Sequence, residues 1–245
     1  MRKVLFLLLI TSSICFAQKT TVYTIGDSTM AEQDENADYP GRGWAQMLEQ
    51  FFTNEVTVEN RGVSGRSSRS YINENRWDLV YKVLVPGDYV IIQFGHNDQK
   101  ETDSRRFSNP HTAYCHNLIH FVKQTREKGA IPILLTSISG SQFNDKGTLI
   151  NTLETYSFET RLVAQEFNMA FIDVPYFSEK LEELYGQEKS KELHLHYKPG
   201  EIKFYPDGVE DNVHLSSKGA TEIARVVATQ IQQMNIPLGD KVRIS

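Results

Sequence analysis

Asp88-Tyr89-Val90-Ile91-Ile92-Gln93-Phe94 (DYVIIQF) runs straight into Gly95-His96-Asn97-Asp98. The first seven residues are apolar almost throughout and rich in β-branched and aromatic side chains. A strand with one wet face alternates apolar and polar residues. A near-continuous apolar run belongs to a strand buried on both faces. Both faces are covered when helices cross over a parallel sheet, so this stretch predicts an α/β fold.

The rest of the chain agrees on either side. Upstream, residues 20–25 (TTVYTI) read as a strand stopped by Gly26. Residues 43–52 read as a helix with Trp44, Met47, Leu48 and Phe51 on one face. Residues 56–59 form a short strand ended by Asn60-Arg61-Gly62, and residues 77–84 a helix closed by Pro86-Gly87. Downstream, residues 111–128 are helical with Gly129 as the stop. Residues 131–136 and 169–173 read as strands, and 149–167 and 175–185 as helices. Ser216 or Ser217 caps a last helix reaching about Met234. The charged stretch 187–200 reads as a solvated loop. Strands alternating with helices imply parallel βαβ units. No repeat, low-complexity tract or linker divides the chain.

Arg2 and Lys3 precede an apolar run at residues 4–10 that leads to Ala17. That is the layout of a secretory signal peptide cleaved after Ala17. The run is too short to span a bilayer, and no later stretch is long and apolar enough to do so. Lipidation at Cys15 is the alternative, disfavoured by bulky Ile14 before it. The expectation is export to a periplasm or the medium, with residues 18–245 as one monomeric domain. Loss of Arg2 and Lys3 takes the basic residues from 26 to 24 against 31 acidic ones, a net charge of −7. That balance argues against nucleic acid as the main partner. Cys115 is then the one cysteine left, so no internal disulfide can form.

In open α/β sheets, ligands bind beyond the carboxyl ends of the strands. Ser28 follows the first predicted strand, residues 62–65 the second, and Gly95-His96-Asn97-Asp98 the third. Far downstream lies Asp211-Asn212-Val213-His214. A serine hydroxyl is a poor nucleophile until a base removes its proton. Histidine can be that base, with a carboxylate fixing its tautomer. A short turn can set Asp211 against Nδ1 of His214 and leave Nε2 facing outward. Taken singly, Ser28 reads as a turn or cap residue, His214 as a surface histidine, and Asp27 as the holder of its own turn. The elbow G-x-S-x-G is absent around Ser28, which argues against an ordinary α/β-hydrolase. Acyl transfer also needs donors for an oxyanion. The N–H groups of Ser28 and Gly65 and the amide of Asn97 are the candidates. Alone, Gly65 reads equally as a turn glycine and Asn97 as a loop cap.

Taken in order, Gly26-Asp27-Ser28, Gly65, Gly95-His96-Asn97-Asp98 and Asp211-Asn212-Val213-His214 resemble the four blocks of the SGNH (GDSL) hydrolases. The phrases TTVYTIGDSTMA, NRGVSGRSSRSY, GDYVIIQFGHND and DNVHLSSKGA are similar to those of the rhamnogalacturonan acetylesterases, across residues 20–220. The resemblance implies a three-layer α/β/α sandwich around a central parallel, flavodoxin-like sheet. It implies Ser28, Asp211 and His214 as catalytic residues, and Ser28, Gly65 and Asn97 as the oxyanion hole. It further implies deacetylation of a pectic polysaccharide through an acyl-enzyme, with no cofactor and no metal. Fungal members carry disulfides, which this mature chain cannot form internally.

Arg61, Arg66 and Arg69 cluster beside the oxyanion segment. Guanidinium groups suit carboxylates, and pectic backbones carry galacturonate. Arg66, Arg69 and His96 are therefore candidate substrate contacts, although each arginine reads equally as an ion-pair partner. Tyr39, Tyr71 and Phe143 are candidates to stack on sugar, whereas Trp44 fits a core. His116 and His120 at i, i+4, and His194 and His196 as H-x-H, have metal-ligand spacing. Neither pair has a third ligand nearby in sequence, and both read as surface histidines. The alternatives are an esterase for acetylated xylan, another glycan or a small lipid ester, and a non-catalytic glycan-binding module.

Overall fold

Five strands of the computed structural model, which describes residues 19–34 and 37–244, form one parallel sheet. The signal-peptide reading of residues 1–17 lies outside the described residues. The strands are β1 (Thr20–Gly26), β2 (Val56–Asn60), β3 (Tyr89–Gln93), β4 (Ile131–Leu135) and β5 (Ala170–Ile172), in the order β2-β1-β3-β4-β5. That is the flavodoxin-like order, whose topological switch point lies between β1 and β3. Gly26 at the end of β1 pairs with Gln93 at the end of β3. The segments carrying Ser28 and Asn97 therefore leave the sheet side by side.

Helices cover both faces. Val90 and Ile92 pack with Tyr71 of α1 (Ser68–Asn73), Trp77 of α2 (Arg76–Val83), Phe121 of α3 (Cys115–Glu127) and Tyr156 of α4 (Glu154–Glu166). Tyr89 and Ile91 face the opposite way. They join Val174 of α5 (Val174–Lys189) and Ala224 and Val227 of α6 (Ser217–Gln233). All four of these β3 side chains are buried, which is why the run reads as apolar on both faces.

Helix α4 begins at Glu154, not at 149 as read from the sequence, and Leu149 bridges to Phe143. Three further segments differ from the sequence reading. Residues 43–52 are two 3-10 turns, Trp44–Met47 and Glu49–Phe51, in place of one α-helix. Ala45, Leu48 and Phe51 are buried. A three-residue spacing stacks side chains along one line of a 3-10 helix, and over so short a run it mimics the α-helical period. Helix α1 was hidden in a serine-rich phrase. Its start is a reciprocal cap, in which Ser67 and Ser70 each bond the other's backbone N–H.

The last difference is residues 187–200, which are not a solvated loop. Helix α5 runs on to Lys189 with a break at Gly186 (φ 72°), and a 3-10 turn, Ser190–Leu193, follows. Strand β6 (His194–Tyr197) then pairs antiparallel with β7 (Val209–Leu215). Polar composition concealed two buried leucines, Leu193 and Leu195, and a buried histidine. His194 Nε2 lies 2.7 Å from Glu182 Oε1 of α5, so a buried acid and base bond one another, while Glu182 Oε2 and His194 Nδ1 have no hydrogen-bond partner among the described residues.

The seam between this hairpin and α6 is tight. Ser216 N–H donates to Leu193 O at 3.0 Å. A Cβ on Gly219 would stand 2.0 Å from the same carbonyl. Helix propensity alone makes Gly219→Ala stabilising by about 1 kcal/mol. The overlap with backbone reverses the sign, and we expect a net loss of about 1–3 kcal/mol. Urea unfolding checks this; a midpoint at or above that of the parent protein would refute the tight seam.

Candidate active site

Gly26 ends β1 where the chain passes closest to β3. A Cβ there would lie 2.2 Å from Met30 Sδ and 2.6 Å from the Gln93 carbonyl oxygen. The Asp27 carboxylate then accepts from Thr29 N–H (2.9 Å) and Thr29 Oγ1 (2.8 Å), and its carbonyl accepts from the N–H groups of Met30 and Ala31. Asp27 thus holds its own turn, and half-buried Ser28 rides on that turn.

The distant Asp211 and His214 meet Ser28 across the edge of the sheet. Ser28 Oγ lies 2.9 Å from His214 Nε2, and His214 Nδ1 lies 2.6 Å from Asp211 Oδ2. The second carboxylate oxygen accepts the backbone N–H groups of Val213 and His214, both at 2.9 Å. Strand β7 carries this pair. It is tied to the loop after β1 by Arg42 N–H donating to Leu215 O and by a bridge between Gly41 and Ser216. Ser216 then caps α6.

The electrostatics set the protonation states. Burial alone would raise the Asp211 pKa, but the hydrogen bonds from His214 and from two backbone N–H groups outweigh it, with the imidazolium charge adding to them. The carboxyl is held well below the usual carboxylate range. His214 moves the opposite way. Its hydrogen bond to Asp211 raises its pKa above 6.5 despite partial burial, and the Asp211 and Asp27 charges reinforce that. An ionised Asp211 selects the tautomer with hydrogen on Nδ1, which leaves Nε2 free to accept from Ser28.

Two more segments converge here. Gly65 has φ +77° and open space where a Cβ would stand, so its backbone N–H is unobstructed. Asn97 is buried. Its Oδ1 accepts from Arg106 Nη1 (3.2 Å) and its Nδ2 donates to Arg66 O (3.3 Å), which fixes the amide and leaves one N–H uncommitted. Fully buried Asp98 accepts from Ser68 N–H and Ser68 Oγ, the latter at 2.5 Å. Burial raises the Asp98 pKa to about 6, although the serine hydrogen bonds oppose the rise. This carboxylate ties the start of α1 to the loop after β3, and so sets Gly65 relative to Asn97. Ser28, Gly65, Asn97 and His214 line one cavity of about 480 Å³.

None of the three candidate substrate contacts, Arg66, Arg69 and His96, lines that cavity. His96 is buried away from its lining, with no protein partner for Nε2. Burial lowers its pKa, the Asp27 charge opposing. Arg69 lies past the Ser67 cap, inside α1, and lines neither this cavity nor its neighbour. Arg66 is at the rim of the adjoining cavity and pairs with Glu74. Arg61 pairs with Glu59. Of the aromatic candidates, Trp44 and Tyr71 are core residues, and Phe143 lies beside His196 at another surface. Tyr39 does line the cavity, edge-on to Phe204 with ring centroids 5.2 Å apart. His194 and His196 are each bonded to a protein side chain, Glu182 and Asn212. Among the described residues no group of three His, Cys, Asp or Glu side chains is placed to hold a metal ion.

Sequence reasoning missed Lys100, Arg106 and Phe204 in the cavity wall. Lys100 and Arg106 sit in the polar segment that continues past Asp98, and that adjacency was the available signal. Phe204 sits in the long β6–β7 connection, and no local pattern marked it.

Residues 24–221 match the model of the GDSL-like lipase/acylhydrolase family. The chain is 37% identical over 219 residues to rhamnogalacturonan acetylesterase RhgT of Bacillus subtilis (strain 168), covering 89% of this chain and 92% of that one. It is 29% identical over 226 residues to the probable rhamnogalacturonan acetylesterase YesY of the same organism, covering 90% and 96%. Among solved structures, protein YxiM of Bacillus subtilis superposes with a TM-score of 0.73 at 23% identity. That match covers 90% of this chain and spans 58% of the longer YxiM chain.

The Asp211–His214 bond makes a prediction about titration. Followed by NMR, the His214 ring should titrate with a midpoint above the ordinary value of about 6.5. Asp211→Asn should lower that midpoint, because the main cause of the upward shift is removed. A midpoint indifferent to the substitution would show that Asp211 does not control this ring.

Proposed function

Because the chain belongs to the GDSL-like lipase/acylhydrolase family, we propose that it is an exported carbohydrate esterase that removes O-acetyl groups from rhamnogalacturonan. We further propose that it works as one domain after loss of its leader. The observation that carries the reading is the hydrogen-bond chain Ser28–His214–Asp211 at a cavity that Gly65 and Asn97 also line. The 37% identity to a rhamnogalacturonan acetylesterase supports the choice of glycan. The open cavity, with Tyr39 against Phe204 and with Lys100 and Arg106 in its lining, offers aromatic surface and a few polar groups to a sugar chain.

The proposed steps follow from the geometry. His214 Nε2 takes the proton from Ser28 Oγ as that oxygen attacks the acetyl carbonyl. Negative charge develops on the carbonyl oxygen. The N–H groups of Ser28 and Gly65 and the uncommitted N–H of Asn97 receive it. The imidazolium, steadied by Asp211, gives its proton to the departing sugar oxygen as the C–O bond breaks. An acetyl-Ser28 remains. His214 then deprotonates a water that attacks this ester. The second tetrahedral species collapses to acetate, and the proton returns to Ser28. No step calls on a cofactor.

Ser28→Ala should lower acetate release from acetylated rhamnogalacturonan and from an aryl acetate by about 10⁴-fold or more, with the fold intact by circular dichroism. Retained turnover would remove Ser28 from the mechanism. Asn97→Ala should lower kcat by about 10²–10³ with little change in KM. Because neutral His214 is the base and its pKa is raised, the acid limb of kcat/KM should have its midpoint above about 6.5. Running acetylated xylan beside acetylated rhamnogalacturonan tests the glycan, and faster release from xylan would overturn that assignment alone. Pectin binding without any turnover would instead favour a binding module.

A further inference from the structure

Beside the oxyanion donors lies a second cavity, of about 290 Å³, that joins the first across Gly65 and Arg106. Arg66, Arg105 and Arg106 line it, with Glu74 and Asp103 as its acidic residues. Its charge is unbalanced. Arg66 and Arg76 share a single oxygen of Glu74, at 3.0 and 2.6 Å. Arg105 and Arg106 share the Asp103 carboxylate, Arg105 bonding both oxygens (3.1 and 3.0 Å) and Arg106 one of them (2.8 Å). Four guanidinium groups therefore meet two carboxylates, and Lys100 adds a further cation in the adjoining cavity. This excess sits on a chain whose net charge is −5.

The arginines are also unfinished as donors. A guanidinium has five N–H groups in a planar fork. Arg66 uses Nε on Glu74 and Nη1 on Ser64 O. Arg105 uses Nε and Nη2 on Asp103, and Arg106 uses Nε on Asp103 and Nη1 on Asn97. Each keeps an uncommitted nitrogen, Nη2, Nη1 and Nη2 respectively, and the ion pairs hold the forks in place. Pre-oriented guanidinium donors with net positive charge match a planar carboxylate.

We propose that this trough is a subsite for a uronate carboxylate of the same glycan whose acetyl group is bound at Ser28. The proposal rests on the esterase reading for what Ser28 does, and it adds where an acidic glycan is recognised. Two contiguous cavities place the uronate on the far side of Gly65 from the reacting ester. Arg106 belongs to both, since it holds the Asn97 amide and faces the trough. Arg105, 86% exposed, contributes a screened attraction, so binding there weakens with salt.

The test is binding, read independently of turnover. Calorimetry with an oligogalacturonate and with a neutral xylo-oligosaccharide of equal length should give a Kd about tenfold lower for the acidic oligomer at low ionic strength, a difference of about 1.4 kcal/mol. High salt should narrow the gap. Arg105→Gln and, separately, Arg66→Gln should each raise the Kd for the oligogalacturonate several-fold and leave that for the xylo-oligosaccharide where it was. Equal affinity for the two oligomers, or arginine variants that bind the acidic one as tightly as the parent, would overturn the subsite. Failure of the esterase reading shows separately, as absent acetate release.

Discussion

Strand β1 is hydrogen-bonded along both edges, to β2 on one side and β3 on the other, and the site depends on that placement. A parallel strand in mid-sheet has no freedom to slip, because a one-residue shift would turn every buried side chain to the wrong face. Its end is therefore fixed against the end of β3. The contact is so close at Gly26 and Gln93 that a methyl group does not fit between them. From that point the chain leaves the sheet toward β2 and returns to β3 on the other side of β1. A cleft opens where the two directions diverge, and Ser28 and Asn97 stand on its two walls.

Buried polar groups then convert a cleft into a set of aimed donors. Asp98 binds Ser68, the first residue of α1, by two hydrogen bonds, so the loop bearing Gly65 is held to the loop bearing Asn97. Gln93 accepts from Trp44 Nε1 (2.9 Å) and donates to Thr136 O (2.9 Å), which links the floor of the site to the segment after β1 and to the end of β4. Arg106 fixes which end of the Asn97 amide faces the cavity. Donors held in this way need no reorganisation as charge develops. The proposed catalytic acid and base lie outside the parallel sheet. Asp211 and His214 sit on the β6–β7 hairpin, and its packing against α6 through Leu193 and Gly219 decides whether they reach Ser28.

Much of this was legible because it follows from local rules. DYVIIQF had to be a doubly buried strand, and its alternating residues do divide between the two cores. The Asp211–His214 pair is a local contact between residues three apart, made at an irregularity within strand β7 in place of the short turn expected from the sequence. Less was legible where a short period or a charged composition hid the packing. The 3-10 turns at Trp44 and Glu49 share a near-helical spacing with an α-helix. The hairpin strand β6 looked solvated because the buried residues Ser190, Leu193, His194 and Leu195 lie among charged neighbours that are not buried. Arg69 and His96 looked like neighbours of the substrate because they adjoin the right residues in sequence. A helix start at Ser68 and the burial of His96 remove them from the cavity.

The sequence by itself determined the α/β class, the strand ends that carry Ser28, Gly65 and Asn97, and the pairing of Asp211 with His214. Each rests on interactions between residues a few positions apart, or on the solvent preference of a single strand. Only the tertiary structure decided that β7 comes within hydrogen-bonding distance of Ser28, that Arg106 orients Asn97, and that Arg66, Arg105 and Arg106 line one trough. Those contacts join segments that share no local pattern. They exist because sheet register, helix packing and the hairpin seam bring distant parts of the chain to one edge.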